Sequence, residues 1–142
     1  MKNLILTTAL LSLTSFSAMA QTKTLLCDET QSHHGSRERF ILKFDEQKQL
    51  ISVDDKNWNE KTNSWNGGDT YSYSDSKPLK PVVRNGAVVY KYISPGDPGD
   101  GDFPVPDSIV TITLQSNDMG NATIVAKRKN NDDADTFVLN CK

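Results

Sequence analysis

The chain is poor in the side chains that most metal and redox chemistry needs: two cysteines, two histidines and three methionines among 142 residues. His33 and His34 are neighbours, and adjacent residues of an extended chain point opposite ways. They make a poor chelate, so a zinc or copper site lacks ligands. Cys27 and Cys141 have no Cys-x-x-Cys spacing and so do not form that redox motif. No Gly-x-Ser-x-Gly elbow and no characteristic cysteine–histidine context is present, which argues against nucleophilic hydrolysis. Asn66-Gly67-Gly68-Asp69 has neither the lysine nor the following helix of a phosphate-binding loop. Carboxylate pairs such as Asp54-Asp55 and Asp132-Asp133 are adjacent and diverge, so an acid–base pair would have to come from distant loops. The expectation is a non-enzymatic protein with no cofactor.

Strong charge of one sign is also missing. The 16 basic and 18 acidic side chains give a net charge of −2. Such mild acidity gives no electrostatic reason to bind nucleic acid or anionic lipid. After the first 20 residues no apolar run approaches the roughly 20 residues of a membrane helix, so no membrane insertion is expected.

The apolar run that does occur comes first. Met1-Lys2-Asn3 is a short basic start, Leu4 to Phe16 is mostly apolar, and Ala18-Met19-Ala20 fits a signal-peptidase site. Residues 1–20 therefore read as a signal peptide cleaved before Gln21. Residues 21–142 are enough for one domain, which at that length buries roughly two-thirds of the surface its unfolded chain exposes. Cys27 lies too far past the cleavage site to be the lipid-modified first residue of a lipoprotein, so the product is expected in the periplasm or secreted. In such a compartment, Cys27 and Cys141 read as a disulfide. Closing a loop of about 115 residues is worth about 4–5 kcal/mol on the chain-entropy model.

No stretch of the mature chain carries a sustained 3.6-residue apolar period. Val, Ile, Thr, Tyr and Phe dominate the ordered segments, as strands prefer. Phe40, Leu42 and Phe44 alternate with polar residues, and Leu50 to Asp54 resumes after the turn Asp45–Lys48. Asn85-Gly86, between Pro81–Arg84 and Ala87–Ile93, is the strongest hairpin signal, because a type I′ turn needs positive φ at both central residues. Ile109–Gln115 and Ala122–Arg128 flank a turn at Asn117–Gly120, and Thr136–Cys141 closes the chain. Leu25 shares a face with Cys27, and Phe137 and Leu139 with Cys141. About eight short strands predict an all-β fold: a small antiparallel β-barrel, with a β-sandwich as the alternative. A Cys27–Cys141 bond would set the first and last strands together.

Two stretches break the strand pattern: a polar loop, Asn57–Asp69, and the Pro-, Gly- and Asp-rich Ser94–Asp107. Asp97, Asp100 and Asp102 concentrate oxygen ligands that could curl around calcium. The stretch has neither the EF-hand order nor tandem calcium-binding repeats, and reads rather as a solvated connection. Trp58 and Trp65 lie among asparagines and are followed by Tyr71 and Tyr73. These aromatics are core filler, anchors for a protein partner, or platforms for a glycan.

The layout of export leader, early cysteine, alternating strands and terminal Phe137-Val138-Leu139-Asn140-Cys141-Lys142 resembles small bacterial periplasmic β-barrel proteins of the membrane-bound/C-type lysozyme inhibitor kind. Those inhibitors carry a Ser-Gly-x-x-Tyr element; the nearest stretch here, Asn85-Gly86-Ala87-Val88-Val89-Tyr90, lacks the serine and is one residue longer. The resemblance transfers no inhibitory residue. The missing catalytic set and the two irregular stretches, Asn57–Asp69 and Ser94–Asp107, point to an exported binding or inhibitor scaffold whose loops contact another periplasmic or extracellular protein, such as a wall-degrading enzyme or a toxin. A barrel that binds a small ligand or glycan is the alternative.

Overall fold

The structure, a computed structural model, describes residues 21–31, 36–68, 70–97, 104–115, 118–129 and 133–142. The leader, the His33-His34 pair, Asp100 and Asp102 lie outside them. Ten strands run in chain order: β1 (Lys23–Glu29), β2 (Glu38–Phe44), β3 (Leu50–Asn59), β4 (Ser64–Gly67), β5 (Tyr73–Leu79), β6 (Val82–Arg84), β7 (Ala87–Ser94), β8 (Ser108–Gln115), β9 (Asp118–Arg128) and β10 (Ala134–Cys141). All pairings are antiparallel, and the sheet order is β4-β3-β2-β1-β10-β9-β8-β7-β6, with β5 also on β3.

The all-β class follows from period-two patterning. Phe40, Leu42 and Phe44 of β2 are buried, as are Val110, Ile112 and Leu114 of β8 and Phe137, Leu139 and Cys141 of β10. Each alternates with a residue on the outer face. The interior is filled rather than hollow: Tyr90, Phe40, Leu42, Leu50, Ile112, Ile124 and Leu139 are all below 2 % exposed. Rings pack across it, Phe40 on Phe137 at 5.3 Å and Phe44 on Tyr90 at 5.5 Å between centroids.

Three local expectations change. There are ten strands rather than about eight: β5 (Tyr73–Leu79) is an addition, and so is β4, because residues 57–67 are not a loop and β3 continues to Asn59 to pair with it. Asn59 makes the turn by accepting Lys61 N–H (2.9 Å) and Thr62 N–H (3.2 Å) on its side chain. Asn63, with φ 49°, completes it, a local polar chemistry that reads as loop in sequence. Further along, β9 begins at Asp118, inside the expected turn, with a register shift at Leu114/Gln115. The hairpin at Asn85-Gly86 forms as expected, with φ of 49° and 75° and Arg84 paired to Ala87.

Cys27 and Cys141 are bonded and directly opposite one another in the β1–β10 ladder. Leu26 and Lys142 exchange both backbone hydrogen bonds at 3.0 Å, which makes the adjacent Cys27–Cys141 position a non-hydrogen-bonded pair. There the side chains approach most closely, so the bridge forms between neighbours in one sheet.

The sheet is not closed. One run of chain, residues 73–84, pairs first with β3 as β5 and then with β7 as β6. Between β5 and β7 there is no ladder among the described residues; side chains hold the seam instead. Tyr73 packs on Tyr92 at 4.9 Å, Tyr92 OH donates to the Tyr71 carbonyl, and Ser94 Oγ donates to the carbonyls of Thr70 and Ser72. Among the described residues, no helix is long and apolar enough to cross a membrane.

Candidate functional site

The inward alternation of four strands ends, at one pole of the molecule, on an acid. Leu25-x-Cys27 leads to Glu29, Phe137-x-Leu139 is preceded by Asp135, Phe40-x-Leu42 by Glu38, and Val53 leads to Asp55. These strands are contiguous in the sheet as β10-β1-β2-β3, so their acidic ends collect at one place. Glu29 and Asp55 are buried, at 3 % and 1 % exposure.

Each acid is tied into the frame. Asp55 accepts Thr70 N–H at 3.1 Å and Ser72 Oγ–H at 2.7 Å, and its carbonyl accepts Gly68 N–H at 3.1 Å. It thereby fastens Gly68, Thr70 and Ser72 onto β3. Tyr71 OH donates to Asp135 at 2.7 Å, and Glu38 N–H donates to Glu29 at 3.0 Å. The Asn57 amide, oriented to donate, reaches both oxygens of Glu38. Burial, with the like charges of Asp55, Glu29 and Asp135, pushes the Glu38 carboxyl up to about 7. Burial and the Asp135 contact raise Tyr71 as well, so its hydroxyl stays a proton donor at neutral pH.

Glu38, Asp55, Asn57 and Asp135 line a depression of about 160 Å³. It shares Thr70 and Tyr71 with a larger open cleft of about 560 Å³, bounded also by Pro95, Gly96, Val105 and Arg128. The second irregular stretch, Ser94–Asp107, thus meets the end of the first at this cleft. Its described ends are fixed tightly: Val105 N–H donates to the Asp97 carbonyl at 2.8 Å. Gly96 passes so close that a Cβ there would lie 1.9 Å from the Val105 carbonyl oxygen. Asp107 accepts Gly96 N–H at 3.1 Å and Lys129 Nζ at 3.4 Å; these contacts, the Gly96 bond first, hold its carboxyl below the usual range.

The aromatic candidates divide between two places. Tyr71 is buried against Phe137 (5.5 Å) and Tyr73 is half-buried against Tyr92, so both belong to the core side beneath the cleft. Trp58 and Trp65 pair across β3 and β4 on the outer face, 5.2 Å apart in an edge-to-face arrangement. Trp58 N–H donates to Arg37 on the side away from β4, so this too is a non-hydrogen-bonded pair, the position where cross-strand rings pack best. Arg39 lies 4.2 Å over the Trp65 ring and forks onto Asp28 at 2.5 and 3.0 Å. That hydrogen-bonded fork keeps Asp28 below the ordinary carboxylate range. The Trp pair therefore clasps the β3–β4 hairpin, with one face of Trp65 already occupied.

Asp97 lies at the cleft rim. No group of three or more His, Cys, Asp or Glu side chains among the described residues is placed to hold a metal ion. Glu38, Asp135, Thr70 and Arg128 are not singled out by the sequence, which reads Asp55 only as one of a diverging carboxylate pair. The available signal was parity: each of the three acids falls on the apolar side of its strand's alternation.

The molecule at this point is defined as an antiparallel all-β protein tied by one disulfide, with a polar cleft at one pole. No family model, curated protein or solved structure matches the chain.

Proposed function

We propose that this is an exported, non-enzymatic binding protein that docks another periplasmic or extracellular protein, such as a wall-degrading enzyme or a toxin, at the cleft pole. The observation that carries the reading is one open cleft, lined by Gly68, Thr70 and Tyr71 beyond the β3–β4 hairpin and by the described ends of Ser94–Asp107, on a filled, disulfide-tied scaffold. Loops held on a rigid frame are the usual seat of recognition. The apolar-leader signature and the disulfide support export. A partner presenting a basic side chain fits the acid-lined depression beneath the cleft, since Glu38, Asp55 and Asp135 all face it.

The test is affinity capture from native periplasmic extract with the wild type and with Thr70→Arg. Thr70 is exposed and lines both hollows, so the new side chain blocks them without entering the core. A partner retained by the wild type and lost with Thr70→Arg supports the reading; equal capture by both proteins, or none by either, counts against it. Glycan binding is the second reading, favoured by a cleft volume within the roughly 300–1,000 Å³ range of ligand pockets. Tyrosine and tryptophan fluorescence that shifts on adding muropeptides in the wild type, and not in Thr70→Arg, would select it instead.

A further inference from the structure

At the pole opposite the cleft, β6 is exposed on both of its faces, while its partners Val88 and Val89 on β7 are half-buried, Val88 against the core. Val82 and Val83 are adjacent and point to opposite faces of the strand, yet they are 51 % and 69 % exposed. They pair with Val89 and Val88, so each face of the hairpin carries a valine pair. The hairpin's own charge is of one sign, although Asp45 of the β2–β3 turn lies near Tyr90 of β7. From Ser76 to Gly96 the chain contains Lys77, Lys80, Arg84 and Lys91 and no carboxylate, although acids outnumber bases over the whole sequence. All four cations are exposed.

β6 also ends the strand order of the sheet. The two-residue turn makes Arg84 and Ala87 a hydrogen-bonded pair, and alternation makes Val82 and Val89 the next one. The N–H and C=O of Val83 then point to the open edge. Pro81 and the three-residue length keep this edge short, which limits indiscriminate pairing.

We propose that the open edge of β6 receives an acidic, extended segment of a partner protein as an added strand. Backbone pairing supplies the registry, the valines bury apolar side chains of the incoming segment, and Lys80, Arg84 and Lys91 meet its carboxylates. An anionic bilayer would answer the charge and the valines equally well. It would leave the edge N–H and C=O groups without partners, and a peptide strand does not.

The probe is a blocked peptide alternating valine and glutamate, titrated into the isotope-labelled protein and followed by amide chemical shifts. A matched valine–lysine peptide is the control. Shifts centred on Val82–Arg84 with the acidic peptide alone are expected. Val83→Pro, tolerated on an edge strand, removes the outward N–H and should weaken binding about tenfold. Lys80→Glu combined with Arg84→Glu should reverse the preference toward the basic peptide. Unchanged near-ultraviolet dichroism of the aromatic core checks that each variant is folded. The proposal is overturned if no shifts occur at millimolar acidic peptide, if both peptides act alike, or if the protein co-sediments with phosphatidylglycerol vesicles while ignoring the peptide. Because the cleft residues lie at the other pole, none of these outcomes depends on what the cleft binds.

Discussion

Glu38 sits where burial, and after it the charges of Asp55, Glu29 and Asp135, raise the cost of its own negative charge. Folded, it keeps its proton to about pH 7; unfolded, it loses it near the ordinary value of 4.5. The folded state therefore binds more protons between those values. The stability contribution is fully present below 4.5 and is lost as pH rises through 7, the reverse of common acid denaturation. Glu38 is partly exposed, and after solvent screening the effect is about 1–2 kcal/mol. Urea midpoints should accordingly be lower at about pH 8.5 than at about pH 5.5, with the difference reduced in Glu38→Gln. An unchanged difference in that variant would remove Glu38 as the cause. The Asp55 side chain is buried and accepts hydrogen bonds from Thr70 and Ser72. Asp55→Ala strands those donors and loosens residues 70–72 from β3, while Gly68 keeps its bond to the backbone carbonyl of that position. A loss of about 2–4 kcal/mol is expected from chemical denaturation.

At the scale of the element, the β3–β4 hairpin depends on the Trp58–Trp65 clasp and on Arg39 laid over it. A cross-strand aromatic pair is worth about 0.5–1.5 kcal/mol beyond its buried area. Trp58→Ala should therefore speed amide exchange from Asn57 to Gly67, while the amides of β8–β10 change little. Uniformly faster exchange across the sheet would mean that the hairpin and the body open as one unit. The β5–β7 seam holds by hydroxyl-to-carbonyl bonds from Tyr92 and Ser94 rather than by a ladder. Such bonds do not require two strands to match in register, which suits a run of chain that changes partner from β3 to β7 within a few residues.

For the whole molecule the controlling contact is the one between its ends. The disulfide joins residues 114 positions apart and sits inside the β1–β10 pairing. Cys27→Ala with Cys141→Ala should cost about 4–5 kcal/mol on the chain-entropy model, measured as a shift in the denaturation midpoint. A cost near zero would show that β1 and β10 are already held together in the unfolded ensemble. The same pairing brings Asp135 to Glu29, Glu38 and Asp55, which the β1–β2 and β2–β3 pairings already gather, so the acidic pole is complete only once the ends have met.

What could be read from the chain was whatever depends on near neighbours. Alternation of Phe40, Leu42 and Phe44 identifies a half-buried strand, Asn85-Gly86 specifies a tight turn, and Cys27 and Cys141 fall on the apolar parity of their strands. Each rests on geometry that repeats within a few residues. The Trp58–Trp65 hairpin escaped because Asn59 and Asn63, which build its turn, look like loop residues until the strands on either side are seen to pair. The cleft escaped for a different reason. Period two says which face a side chain takes and is silent on which strand lies beside it. Whether Glu29, Glu38, Asp55 and Asp135 are scattered or gathered was decided by the antiparallel order β10-β1-β2-β3, through contacts that span nearly the whole sequence.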